Sequence, residues 1–287
     1  MRWKRYRFIT HGWDHHVVIL ERDHGKNNIV FRFPNIRSRD GYYLRELGNE
    51  IALLNYLKKR VHVGIPIYTY VSRDRSFAGY EMLAGKELTN ARFQKLSDQD
   101  RQTIAKQLAE FISTLHSTPQ NMIKRCRIRS ENVRLYYDRF VRNVKTLLFP
   151  SRDLTKNDKQ IIKRFLNELR SALEIYEKNK RKVLIHRDLT YIHILWDNQK
   201  KRINIIDFSD RVLGDPAGDF TGLFEYGPRF AEKVFRLYKG KKDEHMMDRA
   251  RLYFKRLPIL FMIDSLTRFH CSFNANRKLF RKRFIVK

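Results

Sequence analysis

His186, Asp188 and His193 fall inside one apolar-flanked stretch, LIHRDLTYIHILWD (residues 184–197), and Asp207 closes the next apolar run, RINIIDF. Two aspartates at the ends of neighbouring strands, with a histidine between them in sequence, can converge on one point. Carboxylate oxygens suit Mg²⁺, a hard cation that keeps several waters and completes its shell from phosphate. The plainer alternative is a hairpin carrying an incidental His and Asp, and HRD taken alone favours it.

The elements around these residues narrow the choice. VLIH and HILW are short apolar runs, so RDLTYI reads as a loop between strands. The first third reads as strands around one helix: RYRFIT, HVVILER and NIVFRFP, with a hairpin turn at DHGKN, then IPIYTYV and FAGYEML. Between them, residues 42–60 space Leu44, Leu47, Ile51, Leu54 and Leu57 as one helical stripe. After Gly85 the texture becomes helical. Ser97 is read as the N-cap of a long helix with Asp100 as its capping-box partner, and further helices are expected near 131–148 and 155–178. No repeat or long linker interrupts the chain.

Composition sets the class. With 287 residues, 42% hydrophobic and 13% aromatic, the chain can bury a full core. Cys126 and Cys271 form no framework spacing, which reads as free thiols in a cytoplasmic protein. No apolar run reaches membrane-span length, and the densest, LPILFMI (residues 257–263), fits a buried helix. The charge is the unusual feature: 60 Lys and Arg against 31 Asp and Glu leave a net of +29. The basic residues are scattered, with no confined tail or RNA-binding motif, so nucleic acid is not the expected partner.

His186-x-Asp188-Leu189, His193-Ile194-Leu195 and Ile206-Asp207-Phe208, followed by GDPAGDF (residues 214–220), resemble in order the catalytic and metal loops of the aminoglycoside phosphotransferase family. VFRFP and FAGYEMLAGKELT resemble that family's nucleotide strand and hinge. The 2''-phosphotransferases, some of which also carry His for the usual Asn, are especially similar. The resemblance implies an α+β, bilobal, protein-kinase-like fold. Its parts are a small β-rich N-lobe with one helix over residues 1–83 and a larger, mainly helical C-lobe over 84–287. It implies a monomeric enzyme that moves the γ-phosphate of GTP or ATP to a hydroxyl, with Mg²⁺ as cofactor.

By the same resemblance, Asp188 receives or orients the attacking hydroxyl, and Asp207 and His193 hold the metal. His186 anchors the loop. Arg187 replaces the family's usual Gly. Arg32 occupies the phosphate-pairing strand position, with Glu50 as its carboxylate partner and Glu46, one turn earlier, in competition; the alternative is that Arg32 is a surface strand residue. Glu81, Met82 and Leu83 form the hinge against the purine, and the bulk of Tyr80 favours GTP. Only Gly12 stands in the phosphate loop. Asp215 reads as an N-cap before Pro216, and Asp219 as the buried carboxylate that holds the catalytic loop. For a cationic aminoglycoside, Asp210 and Glu225 are the expected substrate carboxylates. A protein kinase is strongly disfavoured because only FSDRVL separates Asp207 from GDPAGDF. A macrolide, choline or other hydroxyl acceptor remains open, as does a non-catalytic nucleic-acid-binding relative.

Overall fold

A computed structural model describes residues 3–9, 15–22, 27–34, 42–74, 76–178, 181–267 and 271–284. Gly12 and residues 23–26 of the expected hairpin turn lie outside them. Strands β1 (Trp3–Ile9), β2 (His15–Arg22) and β3 (Ile29–Pro34) precede α1 (Tyr42–Leu57), and β4 (Tyr68–Val71) and β5 (Ala78–Glu81) follow it. They form one antiparallel sheet in the order β1-β2-β3-β5-β4. IPIYTYV is strand only from Tyr68, so its first half serves as connection. In α1, Leu47, Leu54 and Leu57 are buried as expected, and so is Leu53, which widens the apolar stripe beyond the predicted line.

The larger part follows with β6 (Lys86–Glu87), α2 (Asn90–Gln94), α3 (Asp98–His116), α4 (Gln120–Arg125), α5 (Val133–Asn143) and α6 (Lys156–Lys178). A π turn, Val144–Leu148, continues α5. Ser97 Oγ accepts from Asp100 N–H at 3.1 Å, but the Asp100 carboxylate turns to Lys201 instead of closing a reciprocal capping box. Then come β7 (Val183–Ile185), β8 (Ile194–Asp197), β9 (Arg202–Ile205), β10 (Val212–Gly214) and a 3-10 segment, Pro216–Tyr226. Helices α7 (Pro228–Leu237), α8 (Met246–Ser265) and α9 (Phe273–Phe284) complete the chain. The run LPILFMI lies in α8, and no described helix is long and apolar enough to cross a membrane. Cys126 and Cys271 are free thiols.

Two small sheets position the loops that matter. The β8–β9 hairpin pairs Ile194 with Ile205 and Asp197 with Arg202, so the residues just outside it, His193 and Ile206, face each other. Ile206 N–H donates to His193 O at 3.0 Å. Strand β7 pairs with β10, not with β8, so the loop after β7 crosses from one sheet to the other. The connection after α1 is tied to β9 through Gly64 N–H to Ile203 O (3.1 Å) and Ile205 N–H to Gly64 O (2.8 Å). A β-carbon at Gly64 would stand 1.8 Å from Asn204 Oδ1, so any larger residue would have to displace the buried Asn204 side chain. The helix bearing Glu50 and the strand leading to Asp207 are thereby held together.

Candidate active site

The chain leaves β7 into a loop whose backbone is gripped from behind. Asp219, fully buried, accepts from His186 N–H at 3.0 Å and from Arg187 N–H at 2.8 Å, and His116 Nε2 lies 3.1 Å from the same carboxylate. This is the expected role of Asp219. Asp215 is likewise an N-cap, accepting from Ala217 N–H, and Arg249 and Tyr253 bind it as well. His186 anchors the loop through Nε2 and Ile206 O at 3.1 Å, and its ring packs on Phe208. Burial holds His186 below the usual imidazole range, which suits a neutral anchor. Arg187 has φ 73°, a left-handed conformation natural to glycine, and Asp207 has φ 63°. Such backbone is found where surrounding contacts over-determine it.

The loop then turns so that His193 stands between the two aspartates. His193 Nδ1 lies 2.8 Å from Asp188 O and 3.2 Å from Asp188 Oδ2, and Nε2 lies 3.6 Å from Asp207 Oδ2. Burial acts to raise the Asp188 carboxyl, but the His193 hydrogen bond and the nearby His193 and His186 imidazoles together outweigh it and leave the group below the ordinary carboxylate range. Burial acts to raise Asp207 too, and the Arg32 guanidinium and Ser209 hydroxyl together hold it well below that range. Both are carboxylates at neutral pH. Their side chains are each 40% exposed, open enough to meet a ligand.

Arg32 is buried between the lobes. Its Nη1 donates to Glu50 Oε1 at 2.9 Å, while Nη2 donates to Asp207 Oδ1 at 3.0 Å and to Ser209 Oγ at 2.6 Å. Glu50, not Glu46, is therefore the partner. Glu46 pairs with Arg211, whose Nη2 lies 3.4 Å from Glu46 Oε2 and 3.1 Å from Glu46 O. Arg211 also donates to Phe208 O at 3.0 Å and approaches Glu50 at 3.8 Å. Tyr68 Oη donates to Glu50 Oε1 at 2.9 Å. Arg211, Tyr68 and Ser209 escaped the sequence reading. Arg211 looks like a connector residue in FSDRVL, and only its apolar neighbour Val212 hints at burial.

On the nucleotide side, Tyr80 is buried on the same sheet face as Arg32 and packs edge-on against Tyr68 at 5.3 Å. Burial pushes its phenol up to about 12. Glu81 is the last residue of β5, and Met82 and Leu83 begin the connection to β6. The Glu81 side chain turns away to Arg22 (3.3 Å) and Asn27 (3.2 Å), so any hinge contact from Glu81 comes from its backbone. Met82 N–H is taken by Asn28 O at 2.7 Å.

Each of the two expected substrate carboxylates lies against an arginine. Asp210 lies 3.7 Å from Arg187, which also pairs with Glu131 at 3.1 Å and covers the Tyr136 ring at 4.7 Å. Glu225 is bound by Arg283 of α9, which also covers Phe254 and donates to its carbonyl. Neither is an uncompensated charge, because the basic excess of the chain supplies each with an arginine. Burial moves the Asp210 carboxyl up, with Arg187 opposing.

The donor chemistry fits a Mg²⁺ bound together with phosphate. Asp207 Oδ1 is occupied by Arg32 and Ser209, which leaves Oδ2 toward the cleft. With Nδ1–H assigned to the Asp188 carbonyl, a neutral His193 presents its Nε2 lone pair on the same side. Burial acts to lower the imidazole, but Asp188 and Asp207 together raise it and favour its protonated form until a cation takes that position. One carboxylate oxygen and one imidazole nitrogen leave most of the shell to phosphate and water. Among the described residues no group of three or more His, Cys, Asp or Glu gathers for a metal. The arrangement can orient a hydroxyl at Asp188 beside a phosphate held at Asp207.

A match to the phosphotransferase enzyme family covers residues 5–253. Among solved structures, the GDP and kanamycin complex of an APH(2'') enzyme is 23% identical with a TM-score of 0.78, covering 99% of this chain and 94% of that one. ADP-bound APH(2'')-Ib is 21% identical at TM-score 0.68, covering 99% and 93%. Macrolide 2'-phosphotransferase MphH from Brachybacterium faecium is 17% identical at 0.64, covering 98% and 92%. The fold is accordingly kinase-like, with a five-stranded antiparallel sheet and a larger helical part.

Proposed function

The chain belongs to the phosphotransferase enzyme family, and on that premise we propose that it moves the γ-phosphate of GTP or ATP to a hydroxyl of an aminoglycoside, at the 2''-position. The observation that carries the reading is the single imidazole of His193 between Asp188 and Asp207, at 3.2 and 3.6 Å, with Arg32 on the far side of Asp207. Phosphoryl transfer passes through a loose transition state, so holding the reactants in line accounts for most of the catalysis. Asp188 orients the attacking hydroxyl and receives its proton as the new O–P bond forms and the bond between the γ-phosphorus and the β,γ-bridging oxygen breaks, the nucleoside diphosphate leaving with that oxygen. Asp207 and His193 would hold Mg²⁺, which supplies charge neutralisation along the phosphates. Arg32 keeps the Asp207 carboxylate aimed and Glu50 keeps Arg32 in place. The backbone of Glu81 and Leu83, beside Tyr80, forms the purine edge.

The acceptor class rests on the neighbours, one of which is a kanamycin complex. A net charge of +29 repels a polycation at long range, but screening over about 8 Å in physiological salt confines the decision to nearby groups. Asp188, Asp210 and Glu225 are the carboxylates that would meet it. A second reading, a hydroxylated acceptor of low charge such as a macrolide, is favoured by the pairing of Asp210 with Arg187 and of Glu225 with Arg283. Nucleotide turnover measured with GTP and ATP, against kanamycin and a macrolide in turn, separates the two. Stimulation by kanamycin alone supports the first reading. Stimulation by the macrolide alone replaces it with the second, and no stimulation by any alcohol removes the phosphotransferase reading.

A further inference from the structure

Arg187 stands immediately before Asp188 at a backbone angle, φ 73°, that suits glycine and strains any larger residue. Strained backbone of this kind gathers beside reacting groups, where the side chain it carries has a task. The guanidinium is anchored on one side only. Nη2 lies 3.1 Å from Glu131 Oε1, and the group covers the Tyr136 ring at 4.7 Å. On the other side Nη1 stands 3.7 Å from Asp210 Oδ1, too far for a hydrogen bond. Arg187 is thus held by Glu131 and Tyr136 and leans its charge over Asp210.

Asp210 is placed to meet an acceptor. A cavity of about 250 Å³ opens between the lobes, lined by His15 and Glu46 on one side and by Tyr136, Arg187, Ser209 and Asp210 on the other. Its carboxylates are Glu46, Glu50 and Asp210. Glu46 is taken by Arg211 and Glu50 by Arg32, and their side chains are 22% and 3% exposed, against 53% for Asp210. Asp210 is therefore the carboxylate that an entering cation finds, and among the described residues Arg187 is its only ion-pair partner. Arg129 adds a further positive charge to the wall. Glu131 does not depend on Arg187 alone, because Arg256 of α8 lies near enough for Glu131 and Arg187 both to act on its charge.

We propose that Arg187 sets the charge of the acceptor: its guanidinium stands against Asp210 where an ammonium group of the acceptor would lie, and so lowers the affinity of amine-rich acceptors without touching uncharged ones. A bound ammonium would meet attraction from Asp210 and repulsion from Arg187 at nearly the same distance, and the two offset each other. The inference rests on the phosphotransferase reading, and it turns the choice between the two acceptors of that reading on one side chain.

The test is calorimetric titration of the full chain with kanamycin and with its fully N-acetylated, uncharged derivative. Arg187→Gly, which suits the backbone angle at this position, is expected to tighten kanamycin about fivefold, the scale of one exposed ion pair. The N-acetylated derivative is expected to bind both proteins alike. Asp210→Asn is expected to change kanamycin affinity less than about twofold in the wild type, yet to remove the whole gain from Arg187→Gly, a coupling shown by groups in contact. Absence of tightening in Arg187→Gly overturns the proposal, and that includes absence of kanamycin binding by both proteins. So does a gain that persists in Arg187→Gly/Asp210→Asn, which would assign it to the lowered net charge. An equal gain for the acetylated derivative would assign it to freed space and overturn the proposal as well. Nucleotide turnover is followed in parallel. Tightened kanamycin binding with no turnover on any acceptor leaves the role of Arg187 standing and removes the phosphotransferase reading. Turnover on kanamycin with unchanged affinity in Arg187→Gly does the reverse.

Discussion

Arg32 joins Glu50 and Asp207 with the two ends of one guanidinium, at 2.9 and 3.0 Å, so a helix of the small lobe and the candidate metal aspartate share a single side chain. Lysine offers a point charge and cannot span both carboxylates. Arg32→Lys is expected to raise the KM for nucleotide about tenfold, the equivalent of one lost charge-assisted hydrogen bond of about 1.5 kcal/mol. Arg32→Met leaves Glu50 buried with a weakened partner set and is expected to lower stability by about 3 kcal/mol. Steady-state kinetics and urea unfolding read the two effects. Wild-type KM in the lysine variant would mean that the bridge to Asp207 has no part in nucleotide binding.

Tyr80 lies one residue before the proposed purine-binding connection and packs on Tyr68. Tyr80→Ala is expected to raise ATP use relative to GTP, read as the ratio of kcat/KM values, and to lower Tm through the cavity it leaves. A lower Tm with an unchanged ratio would show that residue 80 supports the sheet and does not select the base.

At Arg187 the backbone has φ 73°. Arg187→Gly and Arg187→Ala remove the same contacts to Glu131, Asp210 and Tyr136, but only glycine is at ease in that conformation. The alanine variant is expected to be less stable than the glycine variant by about 1 kcal/mol in urea unfolding. Equal stabilities would contradict a left-handed residue at this position.

Asp158 on α6 is fully buried and takes Arg277 (2.9 Å) and Arg281 (3.2 Å) from α9. Burial acts to raise its carboxyl, but the two arginines and Thr155 hold it below the ordinary range. A depressed folded-state pKa contributes stability that is fully present above the unfolded value of about 3.9 and is lost as pH falls through the lower folded value. Asp158→Asn is therefore expected to be less stable at pH 6 and to show a smaller further loss between pH 5 and pH 2.5. Parallel stability curves for variant and wild type would rule out this linkage.

Much of the fold was legible because its signals are local. The α1 stripe, the Ser97 cap and the Asp215-Pro216 start each depend on residues within a turn of one another, and the structure contains all three. The Arg32–Glu50 pair was expected only through the family resemblance, with Glu46 in competition, and the structure picks Glu50. What local pattern could not convey was pairing across the chain. Asp210 and Glu225 read as open carboxylates, yet Arg187 and Arg283 reach them. Arg211 contacts Glu46 and Glu50 from 165 and 161 residues away, a distance at which spacing carries no information.

The central claim is that Asp188 acts on the acceptor hydroxyl while Asp207 serves the nucleotide, two carboxylates divided by one imidazole. Asp188→Asn tests it most directly. With the acceptor that stimulates the wild type, kcat is expected to fall by about 10²- to 10⁴-fold, while nucleotide affinity measured by direct titration stays at the wild-type value. Turnover at the wild-type rate, or a loss of nucleotide binding that accounts for the whole defect, would contradict the assignment.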